Sequence, residues 1–139
     1  MKPQTAAFLA KARALLRETQ TMIFVDLYDA AGRTAYLAGF HAAQALLFEA
    51  EGRVFKTHSG VRSEFARHVK NDPRMDGELR AFLGLAYQLK SIADYEAGPD
   101  AHLDPTTALS ALKTAERFVA CVEDILSADG QAPEPSDSG

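Results

Sequence analysis

The stretch AAGRTAYLAGFHAAQALLFEAEG, residues 30–52, decides the fold of this chain. Its large apolar side chains recur at spacings of three and four, which places them on one face of a helix. The alanines between them are small enough for a neighbouring helix to come close, and Gly39 in the middle of the stretch suggests such an approach. Gly52 is a natural left-handed stop. We therefore predict a helix over residues 27–51, closely packed by its neighbours.

Four further segments show the same helical periodicity, and one of them is short. They cover residues 4–23, 60–70, 75–97 and 105–127. The breakers Gly98-Pro99 and Asp104-Pro105 separate the last two segments. This pattern predicts an all-α fold, an antiparallel up-and-down bundle of four long helices plus one short helix.

The length of 139 residues suits one domain with one core. We assign residues 1–128 to a single helical domain. Residues 129–139 are rich in proline, serine and aspartate and offer nothing to bury, so we expect a disordered acidic tail there.

Several classes of protein are disfavoured by what the sequence lacks. Cys121 is the only cysteine, and no cysteine–histidine cluster has the spacing of a zinc site. We therefore expect no metal and no cofactor. No apolar run approaches the ~18 residues needed to span a bilayer, and the N-terminus lacks a signal-peptide pattern. These features favour a cytoplasmic protein that does not contact a membrane.

Positive charge is concentrated in one region of an otherwise acidic chain, whose formal net charge is −4. Residues 53–74 contain six basic side chains against Glu64 and Asp72. The six are Arg53, Lys56, Arg62, Arg67, Lys70 and Arg74. This region is either an ordinary solvated helix face or a patch that meets phosphate groups.

Lys90 and Asp94 are the most informative pair of charged residues. They are four residues apart, on one side of the fourth helix. Lys90 follows Leu79 by three full helical turns, so it returns to the apolar stripe, where burying a charge is costly unless it is matched. The pair is either a surface salt bridge where the helix leaves the core or part of a polar cleft.

Two other segments carry polar side chains in suggestive positions. Arg33 and Tyr36 share one face of the second helix, and His41 lies at its edge, where it could also be an ordinary half-buried, hydrogen-bonded histidine. His58 and Ser59 lie at the start of the third helix, where backbone N–H groups favour anions. That turn could equally be an ordinary helix cap.

Three motifs resemble a known family. They are AGRTAYLAGFHAA at residues 31–43, KTHSGV at residues 56–61 and LKSIADY at residues 89–95. In order and spacing they are similar to the HEPN superfamily, in its branch of small bacterial and archaeal chains. The resemblance covers roughly residues 5–128. It implies a helical bundle that is usually a homodimer, often a metal-independent ribonuclease or toxin encoded beside a minimal nucleotidyltransferase.

The chain departs from the catalytic pattern that the resemblance implies. That pattern is an arginine followed, after four to six residues, by a histidine on a late helix. Lys90 stands where the branch has arginine, and no histidine follows it on the same helix. Lysine cannot make the two-pronged phosphate contact of arginine. Whether the chain is an enzyme, and which residues would be catalytic, therefore stays open at this stage.

We expect one polar cleft, lined by the second and fourth helices, to hold the candidate ligand or phosphate site. Its residues are Arg33, Tyr36, His41, His58, Ser59, Lys90, Asp94 and Tyr95. The preferred hypothesis is a dimeric module that binds RNA, a nucleotide or a partner protein and belongs to a toxin–antitoxin or nucleotidyltransferase system. The alternatives are a ribonuclease toxin, with His41 or His58 as base and Lys90 as cation, and an antitoxin-like structural subunit.

Overall fold

The computed structural model describes residues 1–95 and 102–131, and every element in these residues is a helix. The helices are α1 (Pro3–Phe24), α2 (Tyr28–Glu51), α3 (His58–Val69), α4 (Gly77–Tyr95) and α5 (Pro105–Gln131). The expected all-α bundle of four long helices and one short helix is confirmed.

Helix α2 lies at the centre of the bundle and contacts all four other helices. The alanines along its middle, within residues 31–45, are fully buried, so they are covered within the chain itself. A Cβ atom at Gly39 would collide with the Phe82 ring of α4. The glycine thus permits the close helix approach that its position in the sequence suggested.

Contacts between helix ends define the antiparallel arrangement. At the start of α1, Lys2 donates from Nζ to the carbonyl of Glu49, which lies near the end of α2, at 3.1 Å. Asp94 at the end of α4 lies beside Arg33 near the start of α2. The Asp29 carboxylate accepts a hydrogen bond of 2.8 Å from the backbone N–H of Leu103, just before α5. Helices α2 and α5 therefore run in one direction, while α1 and α4 run in the other.

The helix ends follow the sequence signals closely. Gly52 adopts the left-handed conformation with φ 71°, and Thr57 caps α3 by accepting a hydrogen bond of 3.0 Å from Gly60 N. Asp104 caps α5 through Thr107 N at 2.7 Å. Helix α5 continues to Gln131, so the first residues of the expected tail are helical, and Asp129 there pairs with Arg74. Residues 132–139, and the expected last turn of α4 at 96–97, lie outside the described residues.

The short helix α3 packs against α2 and α4, and its Phe65 ring also reaches α5. Phe65 is buried, and its ring centroid lies 5.2 Å from that of Phe118. Phe118 is in turn 5.0 Å from the Phe82 ring of α4. Because these rings fix α3 against the core, its two ends are presented at defined places on the bundle surface.

Candidate functional site

A tyrosine and a histidine form the centre of the candidate site. Tyr36 is fully buried on α2, and its hydroxyl lies 2.8 Å from Nδ1 of His58, the first residue of α3. The Thr57 cap starts α3 immediately before His58, so the imidazole is placed by the helix start. Tyr36 and His58, expected to meet, are in direct contact.

Aromatic rings surround the His58 imidazole. Its ring centroid lies 4.8 Å from that of Phe40 and 5.8 Å from that of Tyr87. Burial lowers the pKa of His58 below its ordinary value, and the positive charges of Lys90 and Arg62 lower it further. His58 is therefore neutral at pH 7 and gains its charge only in acid.

Arg33, Lys90 and Asp94 form a charged chain beside this centre. Lys90 Nζ lies 2.5 Å from Asp94 Oδ2, and Arg33 Nη1 lies 3.4 Å from Asp94 Oδ1. The side chains of Lys90 and Asp94 are only 17% and 20% exposed. The residue Asp94 as a whole is nevertheless exposed at the surface. Its carboxylate contacts two cations, and Asp29 also acts on Arg33.

Arg62 and Tyr87 belong to the same cluster but were not among the expected site residues; Arg62 was named only as part of the basic region. The Arg62 guanidinium lies over the Tyr87 ring, 4.0 Å from its centroid. Helical spacing carried the signal, because Arg62 is one turn after His58 and Tyr87 is one turn before Lys90. Burial raises the pKa of Tyr36, while the Arg62 side chain acts in the opposite direction.

His41 is not gathered into the cluster. Its Nδ1 lies 2.7 Å from Gln44 Oε1, and its ring stacks against Phe8 of α1 at 6.2 Å between centroids. Burial is the main reason that its pKa is lowered. This is the half-buried, hydrogen-bonded histidine that was the alternative interpretation, and it faces α1 because α1 packs along that side of α2.

Ser59 is exposed on the first turn of α3, and no contact of its side chain links it to the cluster within the described residues. The side chain of Tyr95 lies outside the described part of the chain. The structure thus brings together Arg33, Tyr36, His58, Lys90 and Asp94 and adds Arg62 and Tyr87.

At the other end of α3, two glutamates and a histidine place ligand-type atoms within 4.8 Å of one another: Glu51, Glu64 and His68. Such side chains can hold a metal ion. Arg67, however, already lies 2.7 Å from Glu64 and 3.5 Å from Glu51. Its guanidinium pairs with both carboxylates and would compete with a cation for them, so the arrangement is an ion-pair network.

No helix among the described residues is both long enough and apolar enough to cross a membrane.

Comparison with known proteins identifies relatives. The chain is 30% identical over 96 residues to a protein named putative toxin MJ0142 from Methanocaldococcus jannaschii, a match covering 69% of this chain. It spans 65% of that relative, just under two thirds of its length. It is also 31% identical over 111 residues to a UPF0332 protein from Archaeoglobus fulgidus, covering 80% of this chain and 86% of that protein.

A solved structure and a family model agree with these relatives. The fold matches the crystal structure of TT1696 from Thermus thermophilus with a TM-score of 0.74 and 25% sequence identity, covering 88% of this chain and 98% of that one. The family model described as HEPN domain matches residues 5–125. The chain therefore belongs to the HEPN domain family.

Proposed function

We propose that the cluster of α2, α3 and α4 binds phosphate groups of RNA or of a nucleotide. The observation that carries the proposal is the neutral His58, on which the positive charges of Arg62 and Lys90 act. Lys90 is paired with Asp94, whereas the ion pairs among the described residues do not include Arg62. Positive charge beside a hydrogen-bonding imidazole suits an anion.

The contact between Tyr36 and His58 favours binding over strong catalysis. Because burial raises the pKa of Tyr36, the phenol keeps its proton at neutral pH and can donate it to His58 Nδ1. The remaining imidazole proton is then on Nε2, where it can be donated to a phosphate oxygen. A general base requires a lone pair directed at the substrate instead.

A second candidate function is a metal-independent ribonuclease toxin. His58, and not His41, would be the base, because Lys90 and Arg62 act on His58, whereas His41 stacks against Phe8 of α1. Catalysis of this kind needs a neutral imidazole for proton transfer and a cation for the phosphate charge. The name of the archaeal relative, putative toxin, supports a toxin-related role.

One experiment separates these functions. Purified protein is titrated against a short fluorescein-labelled single-stranded RNA, followed by anisotropy, and the same RNA is examined on a denaturing gel after incubation with and without a chelator. AMP and ATP are used as competitors. Binding without cleavage is the expected result. Cleavage that persists in chelator and disappears in His58→Gln would establish the ribonuclease instead, and the absence of both would leave a structural subunit.

Partner proteins are the other part of the proposal. The alanines in the middle of α2 are used inside the bundle, so a homodimer has to use another surface. A groove of about 440 Å³ between α4 and α5 is lined partly by apolar side chains, and Leu85 beside it is 56% exposed. If a second copy packs there, light scattering gives dimer mass for the wild type and monomer mass for Leu85→Lys. Monomer mass for the wild type would contradict the dimer.

A minimal nucleotidyltransferase encoded nearby is the protein partner that we propose to test. Co-expression followed by affinity purification would detect such a complex. In an antitoxin-like subunit, the complex would form without any RNA binding by this chain alone. Loss of the complex in Leu85→Lys, with RNA binding intact, would place the partner on the α4–α5 groove.

A further inference from the structure

We infer that Arg62 supplies the two-pronged phosphate contact of the site and that Tyr87 holds its guanidinium in the orientation needed. This inference rests on the phosphate-binding function proposed above. It assigns a binding role to a residue of α3. The family motif on the fourth helix has Lys90 where the related chains have arginine, so that helix does not supply the fork.

The guanidinium of Arg62 is held in a fixed plane. It lies 4.0 Å from the Tyr87 centroid, and the Tyr87 ring is itself fixed by an edge contact with Tyr36 at 5.5 Å between centroids. A guanidinium stacked on an aromatic ring keeps its N–H groups directed outward in that plane. The contact with Tyr87 therefore orients the N–H groups that donate to the two oxygens of a phosphate or carboxylate.

One nitrogen of this fork is buried without a partner. Nη1 of Arg62 is inaccessible to solvent and has no hydrogen-bond acceptor among the described residues. A buried donor left unsatisfied is costly and is rare in folded proteins. The Arg62 side chain also acts on the Tyr36 hydroxyl. Because Nη1 is closed to solvent, an oxyanion satisfies it only after the side chains that cover it move aside.

The charge of Arg62 is not neutralised by an ion pair among the described residues. The ion pairs among the described residues include Arg67 on the same helix, which contacts Glu64 at 2.7 Å, but they do not include Arg62. Lys90 is paired with Asp94 and offers a point charge with no fork. Arg33 already contacts Asp94, so Arg62 is the guanidinium of the cluster that can meet the phosphate edge-on without leaving an ion pair among the described residues, while Lys90 adds charge.

The test compares variants that separate charge from shape. Arg62→Lys keeps the positive charge but removes the fork, and Arg62→Gln removes both. Arg67→Lys is the matched control, because Arg67 lies on the same helix and is already paired. Each variant is titrated with the same labelled single-stranded RNA over a range of salt concentrations, and a thermal melt verifies its fold.

We expect Arg62→Lys to lose roughly tenfold in affinity with an unchanged salt dependence, since its charge remains. Arg62→Gln should lose at least as much and also show a salt slope smaller by about one unit. Arg67→Lys should bind as the wild type does. Lys90→Arg, placed in the Arg62→Lys background, should recover part of the loss because it returns a guanidinium to the site.

Two outcomes would overturn the inference in distinguishable ways. If the wild type does not bind RNA, the proposed function fails and this inference falls with it. If the wild type binds and Arg62→Lys binds equally well, the fork has no role and only the inference fails. A variant that melts early is replaced by Tyr87→Leu, which removes the stacking surface and should weaken binding with Arg62 intact, whereas unchanged binding would contradict the role of the stack.

Discussion

The two ends of α3 contain similar residues in opposite electrostatic settings. At the first end, His58 contacts a tyrosine hydroxyl, and the nearby Arg62 has no carboxylate partner among the described residues. At the second end, His68 lies 2.9 Å from Glu51, and Arg67 contacts Glu64. One end therefore offers positive charge to a ligand, and the other has already neutralised it.

The comparison shows that spacing along the chain does not identify a phosphate site. Arg53 precedes His58 by five residues and Arg62 precedes His68 by six, so both pairs fit a loose arginine–histidine pattern. The fold separates the members of both pairs. The Arg53 guanidinium lies over the Phe55 ring, and Arg62 acts on His58 instead of His68. The end of α2 brings Glu51 to His68, while Tyr36 from the middle of the same helix meets His58.

Lys90→Met should have the largest effect on the difference in RNA binding between the two ends of α3. It removes one cation from the His58 end, and we expect RNA affinity to fall roughly tenfold, the worth of one charged hydrogen bond. The fold should remain, because Asp94 keeps Arg33 as a partner. Anisotropy titration measures the change.

The matched control is Lys70→Met at the second end of α3. It removes the same charge from the other end of α3 and should leave the affinity almost unchanged. An equal loss in both variants would mean that net charge alone, and no site, governs binding.

Tyr36→Phe and Arg67→Gln compare how much a contact at each end of α3 contributes to the free energy of unfolding. It removes the hydroxyl that contacts His58 but keeps the buried ring, at a cost of about 1 kcal/mol, or roughly 4 °C in the melting temperature. Arg67→Gln breaks an ion pair whose arginine side chain is 62% exposed, and it should cost less stability than Tyr36→Phe. Differential scanning calorimetry compares them, and the reverse order would contradict the assignment.

Acid should strengthen RNA binding at the first end alone. Burial lowers the pKa of His58 below its ordinary value of 6.5, so its imidazole gains charge only as the pH falls through the lower, folded-state pKa. Affinity should rise several-fold over that interval. His58→Gln should abolish the rise, whereas His68→Gln should retain it, and a rise that survives in His58→Gln would show another group to be responsible.

Acid should lower the free energy of unfolding, although it strengthens RNA binding. Because the unfolded chain takes up the His58 proton first, this contribution is fully present above pH 6.5 and is lost as the pH falls toward the folded-state pKa. Urea titrations at a series of pH values, with His58→Gln as the reference, measure the difference.

The smallest expected effect is a gain of binding at the second end. Replacing Glu51 and Glu64 by glutamine removes the carboxylates that neutralise Arg67 and His68. RNA affinity should then rise by about two- to threefold, with a steeper salt dependence, because exposed charges act weakly through solvent. No gain would mean that the geometry of this end, and not its charge balance, prevents binding.

Much of the fold was predictable because its signals are local. The periodicity of α2, the left-handed Gly52 and the caps at Thr57 and Asp104 each act within one or two turns, and the structure agrees with all of them. The expected end of α5 was four residues too short. Asp129 contributes there through a pair with Arg74, which lies far away in the sequence.

The candidate site was predictable only in part. Arg33, Lys90 and Asp94 were found because a charged pair stood on an apolar stripe and a motif on α2 matched it. His41 was grouped with them from its position at the edge of the same helix face, but α1 covers that edge. Arg62 was named only as one of six bases in the basic region, and Tyr87 was missed, because neither stands out within its own helix.

The sequence by itself determined the five helices, their caps and the residues that could carry charge near a phosphate. These properties depend on neighbours along the chain, and helical periodicity reports them. Only the tertiary structure decided which of the two histidine-bearing ends of α3 keeps its positive charge. That outcome depends on Glu51, Tyr36 and Tyr87, which reach α3 from other helices. Electrostatic interactions depend on distance in space, and the spacing of residues in the sequence does not predict that distance.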